Sequence, residues 1–348
     1  MGRPRIYFRA DGSSTIGLGH VIRSLALAEM LGKQFQCTFL IQSPKPSLVN
    51  HIQGVVDSLV ELPSSTDYLE EAKNLVDNHL SPGDIIILDG YGFNTACQQV
   101  YKAYGCKVAC IDDLHTQHFV ADVVINHAPG IKPIVYSKED YTRLCLGLPY
   151  ALLRPEFLQA AQHTRHFTTI DNLFICFGGA DPINITGKIL SNLQNLTRSF
   201  SAIHIVLGSA NPHKKSLQTL GKEEKLPGLY FHENLSALEM RTLMKRCELA
   251  IVPASSLLFE IIAVKMPVIS GYYIDNQKDV YAGFLEAGLI WGMGDLREIT
   301  DYEPAFEQIE KVGLTHILEK QAKAGIGDSP QNLLNVFNTL NSGAVIHP

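Results

Sequence analysis

IYFRADGSSTIGLGHVIRSLALAEML, residues 6–31, decides the fold. It reads as a short apolar strand, a glycine-bearing loop and a helix with Val21, Leu25 and Ala28 on one face. The same alternation continues through CTFLIQ at 37–42, DIIILD at 84–89, KVACID at 107–112 and DVVIN at 122–126, with amphipathic segments between. Near-continuous apolar strands alternating with helices predict a parallel sheet covered on both faces.

After LRPEFLQAAQHTRHFTT at 153–169, where periodicity is weak, the pattern restarts with NLFICFGG at 172–179, AIHIVLGS at 202–209, LYFHEN at 229–234, LAIVPA at 249–254 and PVISGYY at 267–273. The expectation is an α/β chain of two doubly wound, Rossmann-like domains, 1–155 and 156–327. Residues 328–348 contain DSPQNLLNVFNTLN, an amphipathic helix with Ser329 as N-cap and Pro330 at its first position, expected to pack back on the N-terminal domain.

Composition narrows the function classes. Of 348 residues, 46% are hydrophobic and 18% charged, a balance that excludes disorder for most of the chain. The net charge of −6 offers no global attraction to nucleic acid or an anionic membrane. Seven cysteines, scattered and without a CxxC pair, argue against a disulfide framework or a zinc site. No apolar run has the roughly 18–20 residues of a spanning helix, and the N-terminus lacks a signal-peptide core, which reads as cytoplasmic.

Five segments carry candidate chemistry. In the first, Gly17 and Gly19 permit close backbone approach and an anion at the helix start, but Ile22 stands where a GxGxxG fingerprint needs glycine. His20 is placed where the helix dipole favours a neutral imidazole able to take a proton from water. Arg23 is either a phosphate partner or a surface charge. In IILDGYGF, Asp89 and Tyr91 end a strand where they orient a water or a sugar hydroxyl, or simply form a turn. Asp112 and Asp113 read better as strand-terminal caps than as acid/base groups.

In ICFGGADPINIT, Gly178 and Gly179 open a loop, Asp181 is a cap and Pro182 takes the first helical position, presenting amides to a diphosphate, with Asn184 adding polar reach. In AIVPASSLLFEIIAVKMPVIS, Ser255 and Ser256 precede an apolar helix in which Glu260 needs a partner, either a ribose diol or a structural group. In YYIDNQKD, Asn276 and Gln277 follow the next strand.

Together RADGSSTIGLGHVIRSLALA, LDGYGF, IDDLHTQHFVADVVIN, LGLPYALLRPEF, FGGADPINIT, PASSLLFEIIAVKMPVI and IDNQ resemble the nucleotide-sugar hydrolases of pseudaminic acid biosynthesis, relatives of the GT-B glycosyltransferases. The resemblance implies a GT-B-like fold with a cleft between the domains, a UDP-linked diacetamido-trideoxy sugar as substrate, and no metal or cofactor. It implies His20 as catalytic base or acid with Tyr91 and Asn276 nearby. Gly178, Gly179 and Asn184 then face the diphosphate and Glu260 the ribose. His127 stands where the family usually has Gln. Two other readings of the same residues are a GT-B UDP-sugar glycosyltransferase and a nucleotide-sugar binding protein without catalysis. Oligomeric state is not legible.

Overall fold

Along the first strand, Arg5–Ala10, side chains alternate between two buried surfaces: Ile6, Phe8 and Ala10 enter one apolar cluster, Tyr7 the other. This is the signature of a sheet packed on both faces, and the computed structural model, which describes residues 2–12, 18–223 and 228–343, bears it out.

The first unit comprises the described residues up to Pro155 and those from Asp328 onward. Its strands are β1 (Arg5–Ala10), β2 (Gln36–Gln42), β3 (Ser58–Leu62), β4 (Ile85–Asp89), β5 (Lys107–Ile111), β7 (Val123–Asn126) and β9 (Arg143–Leu146), with β6 (His118–Phe119) and β8 (Ser137–Lys138) forming a separate ribbon. The main sheet is parallel in the order β3-β2-β1-β4-β5-β7-β9. Helices α1 (Gly19–Leu31) and α2 (Pro46–Gln53) pack on one face, and α3 (Tyr68–Asn78) and α4 (Thr95–Tyr104) on the other.

The last helix, which we number α13 (Ser329–Ser342) after the intervening α5–α12, joins the first face through Leu333, Val336, Phe337 and Leu340. Each of these buried side chains contributes roughly 1.5–3 kcal/mol relative to exposure. Asp328, not Ser329, occupies the N-cap position, and the buried Ser329 hydroxyl makes no hydrogen bond.

The second unit, Glu156–Gly327, is built the same way. Strands β10 (Asn172–Cys176), β11 (Ala202–Leu207), β12 (Leu229–Glu233), β13 (Leu249–Pro253), β14 (Val268–Tyr272) and β15 (Trp291–Asp295) form a parallel sheet in the order β12-β11-β10-β13-β14-β15. The helices of this part of the chain are α5 (Pro155–Ala161), α6 (Ile185–Leu193), α7 (Lys214–Glu223), α8 (Ala237–Arg246), α9 (Ser256–Val264), α10 (Lys278–Glu286), α11 (Glu303–Val312) and α12 (Leu314–Ala322). α6, α11 and α12 fill one face around Ile175, Ile205 and Ile251.

In each sheet the strand order reverses once, between β1 and β4 and between β10 and β13. Ligands of open parallel sheets bind outside the carboxyl ends of strands at such points. No helix among the described residues is long and apolar enough to cross a membrane.

Candidate functional site

In the first unit, β4 delivers Asp89 fully buried beneath the first turns of α1. Three residues of one α1 face converge on it. His20 places Nδ1 2.7 Å from Oδ1, Arg23 donates from Nε to Oδ2 at 2.8 Å and from Nη2 to Oδ1 at 2.5 Å, and the Ser24 hydroxyl donates to Oδ2 at 3.0 Å. Burial alone pushes the Asp89 carboxyl up, but the Arg23 charge and hydrogen bonds and the His20 bond outweigh it, so it sits below the ordinary carboxylate range.

An ionised Asp89 accepts hydrogen bonds only, so the proton shared with His20 lies on Nδ1. The 3.0 Å contact between Arg23 Nη2 and His20 Nδ1 is then two donors aimed at one carboxylate oxygen. In the neutral ring Nε2 is then the lone-pair nitrogen, the tautomer a general base at that position requires. Asp89, rather than the helix end invoked from the sequence, is the direct partner that sets the tautomer.

Arg23 also donates to Asp113 at 3.0 Å, and the Tyr91 hydroxyl reaches Asp113 at 3.4 Å. Tyr91 is 59% exposed and packs edge-on against His20, ring centroids 5.0 Å apart. Burial, then the Asp113 charge, raises the Tyr91 pKa, which keeps the phenol protonated at neutral pH.

These partners change three sequence readings. Arg23 is paired with two carboxylates, so it is not a loose surface charge. Asp89 is closed off from solvent and orients His20 instead of a water or sugar hydroxyl. Asp113 belongs to the network, whereas Asp112 does cap, accepting from the amides of Leu114 and His115. Gly19 opens α1, and Gly17 lies outside the described residues.

In the second unit the loops after β10, β13 and β14 lie at the carboxyl ends of three neighbouring strands. Gly178 has φ +73°, a conformation that favours glycine. The amides of the exposed Gly179 and Ala180 donate to no protein acceptor among the described residues. Gly208, which the sequence reading passed over, supports this loop from β11: a Cβ there would lie 2.2 Å from the Gly179 carbonyl oxygen.

The start of α6 departs from expectation. The helix begins at Ile185, not Pro182, and its amides are already taken: Asp181 accepts from Ile185 at 2.8 Å and Thr186 at 2.9 Å, and Asn184 accepts from Gly187 at 3.2 Å. A buried carboxylate therefore occupies the place proposed for a diphosphate, and the Asn184 side-chain oxygen is spent on capping.

α9 provides the contrast. Its N-cap Ser255 makes no side-chain capping bond, and Ser256 at the first helical position is exposed. The amides of Ser255 and Leu258 bond to the Pro253 and Ser255 carbonyls at 2.9 Å, while those of Ser256 and Leu257 donate to no protein acceptor among the described residues and are available to an anion. Glu260 lies four residues on, on the same side of α9 as Ser256. Asn276 is exposed on the turn Asp275–Gln277, while Gln277 is buried and accepts from the Tyr273 amide at 3.1 Å, so it holds that turn rather than facing a ligand.

No family model matches the chain. A UDP-2,4-diacetamido-2,4,6-trideoxy-beta-L-altropyranose hydrolase of Campylobacter jejuni is 30% identical over 295 residues, covering 82% of this chain and 97% of that protein. Spore coat polysaccharide biosynthesis protein SpsG of Bacillus subtilis is 25% identical over 307 residues, 87% of each chain. Among solved structures, a UDP-glucosyltransferase from Polygonum tinctorium matches with a TM-score of 0.66 at 12% identity, covering 98% of this chain and 99% of that one, a likeness of fold that is GT-B in type. With identity at that level across nearly the whole Campylobacter jejuni enzyme, the chain belongs to the family of UDP-2,4-diacetamido-2,4,6-trideoxy-beta-L-altropyranose hydrolases.

Proposed function

We propose that this protein hydrolyses a UDP-linked diacetamido-trideoxy sugar at the anomeric carbon, releasing UDP and the free sugar with inversion, in nonulosonic acid biosynthesis. The observation that carries the reading is the 2.7 Å contact of His20 Nδ1 with the buried Asp89, which in the neutral ring turns the lone pair to Nε2 and supports its use as a base. Family membership supplies the substrate class.

Nε2 of His20 takes a proton from water as the water oxygen bonds to the anomeric carbon. The bond from that carbon to the phosphate oxygen breaks, and its electron pair leaves with UDP. Attack opposite the leaving group inverts the centre, as in inverting glycosidases. Negative charge grows on the departing diphosphate, where the Gly179 and Ala180 amides and the open start of α9 act as preorganised donors. In this reading Glu260 receives the ribose hydroxyls, and Tyr91 and Asn276 contact the sugar.

Incubating the protein with the UDP-linked sugar in buffer without any acceptor tests this. NMR should show UDP together with the free sugar appearing first as the opposite anomer. Release that requires an added acceptor, or a product of retained configuration, contradicts it.

A further inference from the structure

Next to His20 the first unit holds a partly enclosed cavity of about 190 Å³ at the carboxyl ends of β4 and β5. Tyr91 is its shared wall, lining the cavity while its ring packs against His20. The lining combines apolar surface from Phe93, Ile111 and Leu114 with two carboxamides, Asn94 and Gln117.

Each carboxamide is half used. Asn94 Oδ1 accepts from the Cys97 amide at 3.1 Å, capping α4, and Gln117 Nε2 donates to the Phe93 carbonyl at 3.4 Å. This leaves Asn94 Nδ2 as a donor and Gln117 Oε1 as an acceptor without protein partners among the described residues. Leu114 stays 37% exposed although it is apolar. One donor, one acceptor and an apolar wall complement a secondary amide that carries a methyl group. A phosphate or carboxylate fits poorly, because Asp112 and Asp113 also line the cavity and the Arg23 guanidinium in its wall is already paired with Asp89 and Asp113.

We propose that this cavity is the subsite for one N-acetyl arm of the sugar. Asn94 Nδ2 donates to the acetamido carbonyl, Gln117 Oε1 accepts its N–H, and the methyl packs on Phe93 and Leu114. The proposal rests on the hydrolase reading above and adds to it the residues that select an acetamido sugar over a hydroxylated one.

The test uses the full chain carrying His20→Asn, so that ligand is not consumed, and calorimetry with UDP, with the UDP-linked 2,4-diacetamido sugar, and with its two analogues in which one acetamido group is a hydroxyl. Asn94→Asp keeps the capping oxygen and removes the donor; Gln117→Leu removes the acceptor. Each should weaken the diacetamido ligand about tenfold, leave UDP unchanged, and leave the affinity of one mono-acetamido analogue unaltered. UDP affinity doubles as the folding control. UDP binding with undiminished affinity of both variants for the diacetamido ligand overturns the subsite alone. Failure of the parent to bind UDP overturns the hydrolase reading and the subsite with it.

Discussion

His20 Nδ1 and Asp89 Oδ1 stand 2.7 Å apart across 69 residues of sequence, with Asp89 fully buried and held also by Arg23 and Ser24. Asp89→Asn preserves the shape but removes the acceptor-only group that fixes the imidazole tautomer. Turnover should fall by about 10²–10⁴-fold, by analogy with the hydrolytic triad. Arg23 would lose its principal counter-charge, which should cost roughly 3 kcal/mol. Kinetics, UDP calorimetry and urea unfolding on the one variant separate the two effects, since UDP affinity should stay near wild type.

His127 makes the first unit acid-sensitive. Its Nδ1 accepts from the Leu152 amide at 3.1 Å, and burial, followed by the Arg23 charge, lowers its pKa to about 3, against an opposing contribution from Asp89. In the unfolded chain the ring protonates near pH 6.5, so between that value and about 3 the unfolded state binds the extra proton. Stability is therefore full above pH 6.5 and declines as pH falls, by about 2 kcal/mol at pH 5. His127→Gln keeps an acceptor and removes the titration, so its urea midpoints at pH 7.5 and 5.0 should lie closer together than those of the wild type.

The two helix starts of the second unit differ in one respect that bears on anion binding: Asp181 closes α6, whereas Ser255, the N-cap of α9, makes no side-chain capping bond. Ser256→Pro deletes one amide donor at a position where proline is compatible with a helix. The variant should keep its melting temperature within a few degrees and lose about tenfold in UDP affinity. An equal substitution effect on stability and binding would point to a damaged helix instead.

Gly208→Ala forces a methyl group against the Gly179 carbonyl. We expect the glycine loop to shift and UDP affinity to fall by at least about tenfold, because loop amides lose their geometry. Wild-type calorimetry for this variant would remove the loop from the binding site.

The strands were readable because buried parallel strands are apolar on both faces, and the β1 alternation of Ile6 and Phe8 against Tyr7 follows from a period of two. His20, Arg23 and Ser24 are spaced three and four apart, so their common helix face was also legible. Their pairing with Asp89 was not, since that carboxylate lies 65 to 69 residues further along the chain and meets them only because β1 and β4 are neighbours. GGADPIN suggested a helix starting at proline; Asp181 and Asn184 instead adopt positive φ of 43° and 54° and move the start to Ile185, a conformation uncommon for any residue but glycine even though Asp and Asn enter it most readily. Gly208 went unnoticed because its purpose is a contact with the neighbouring strand's loop, not a turn.

Water activation by His20 is tested most directly by comparing His20→Asn with the wild type for UDP release from the UDP-linked diacetamido-trideoxy sugar in acceptor-free buffer. Release should slow by at least about 10²-fold while calorimetry finds UDP bound as tightly as before. Turnover within a few-fold of wild type would show that the imidazole held by Asp89 is not the base.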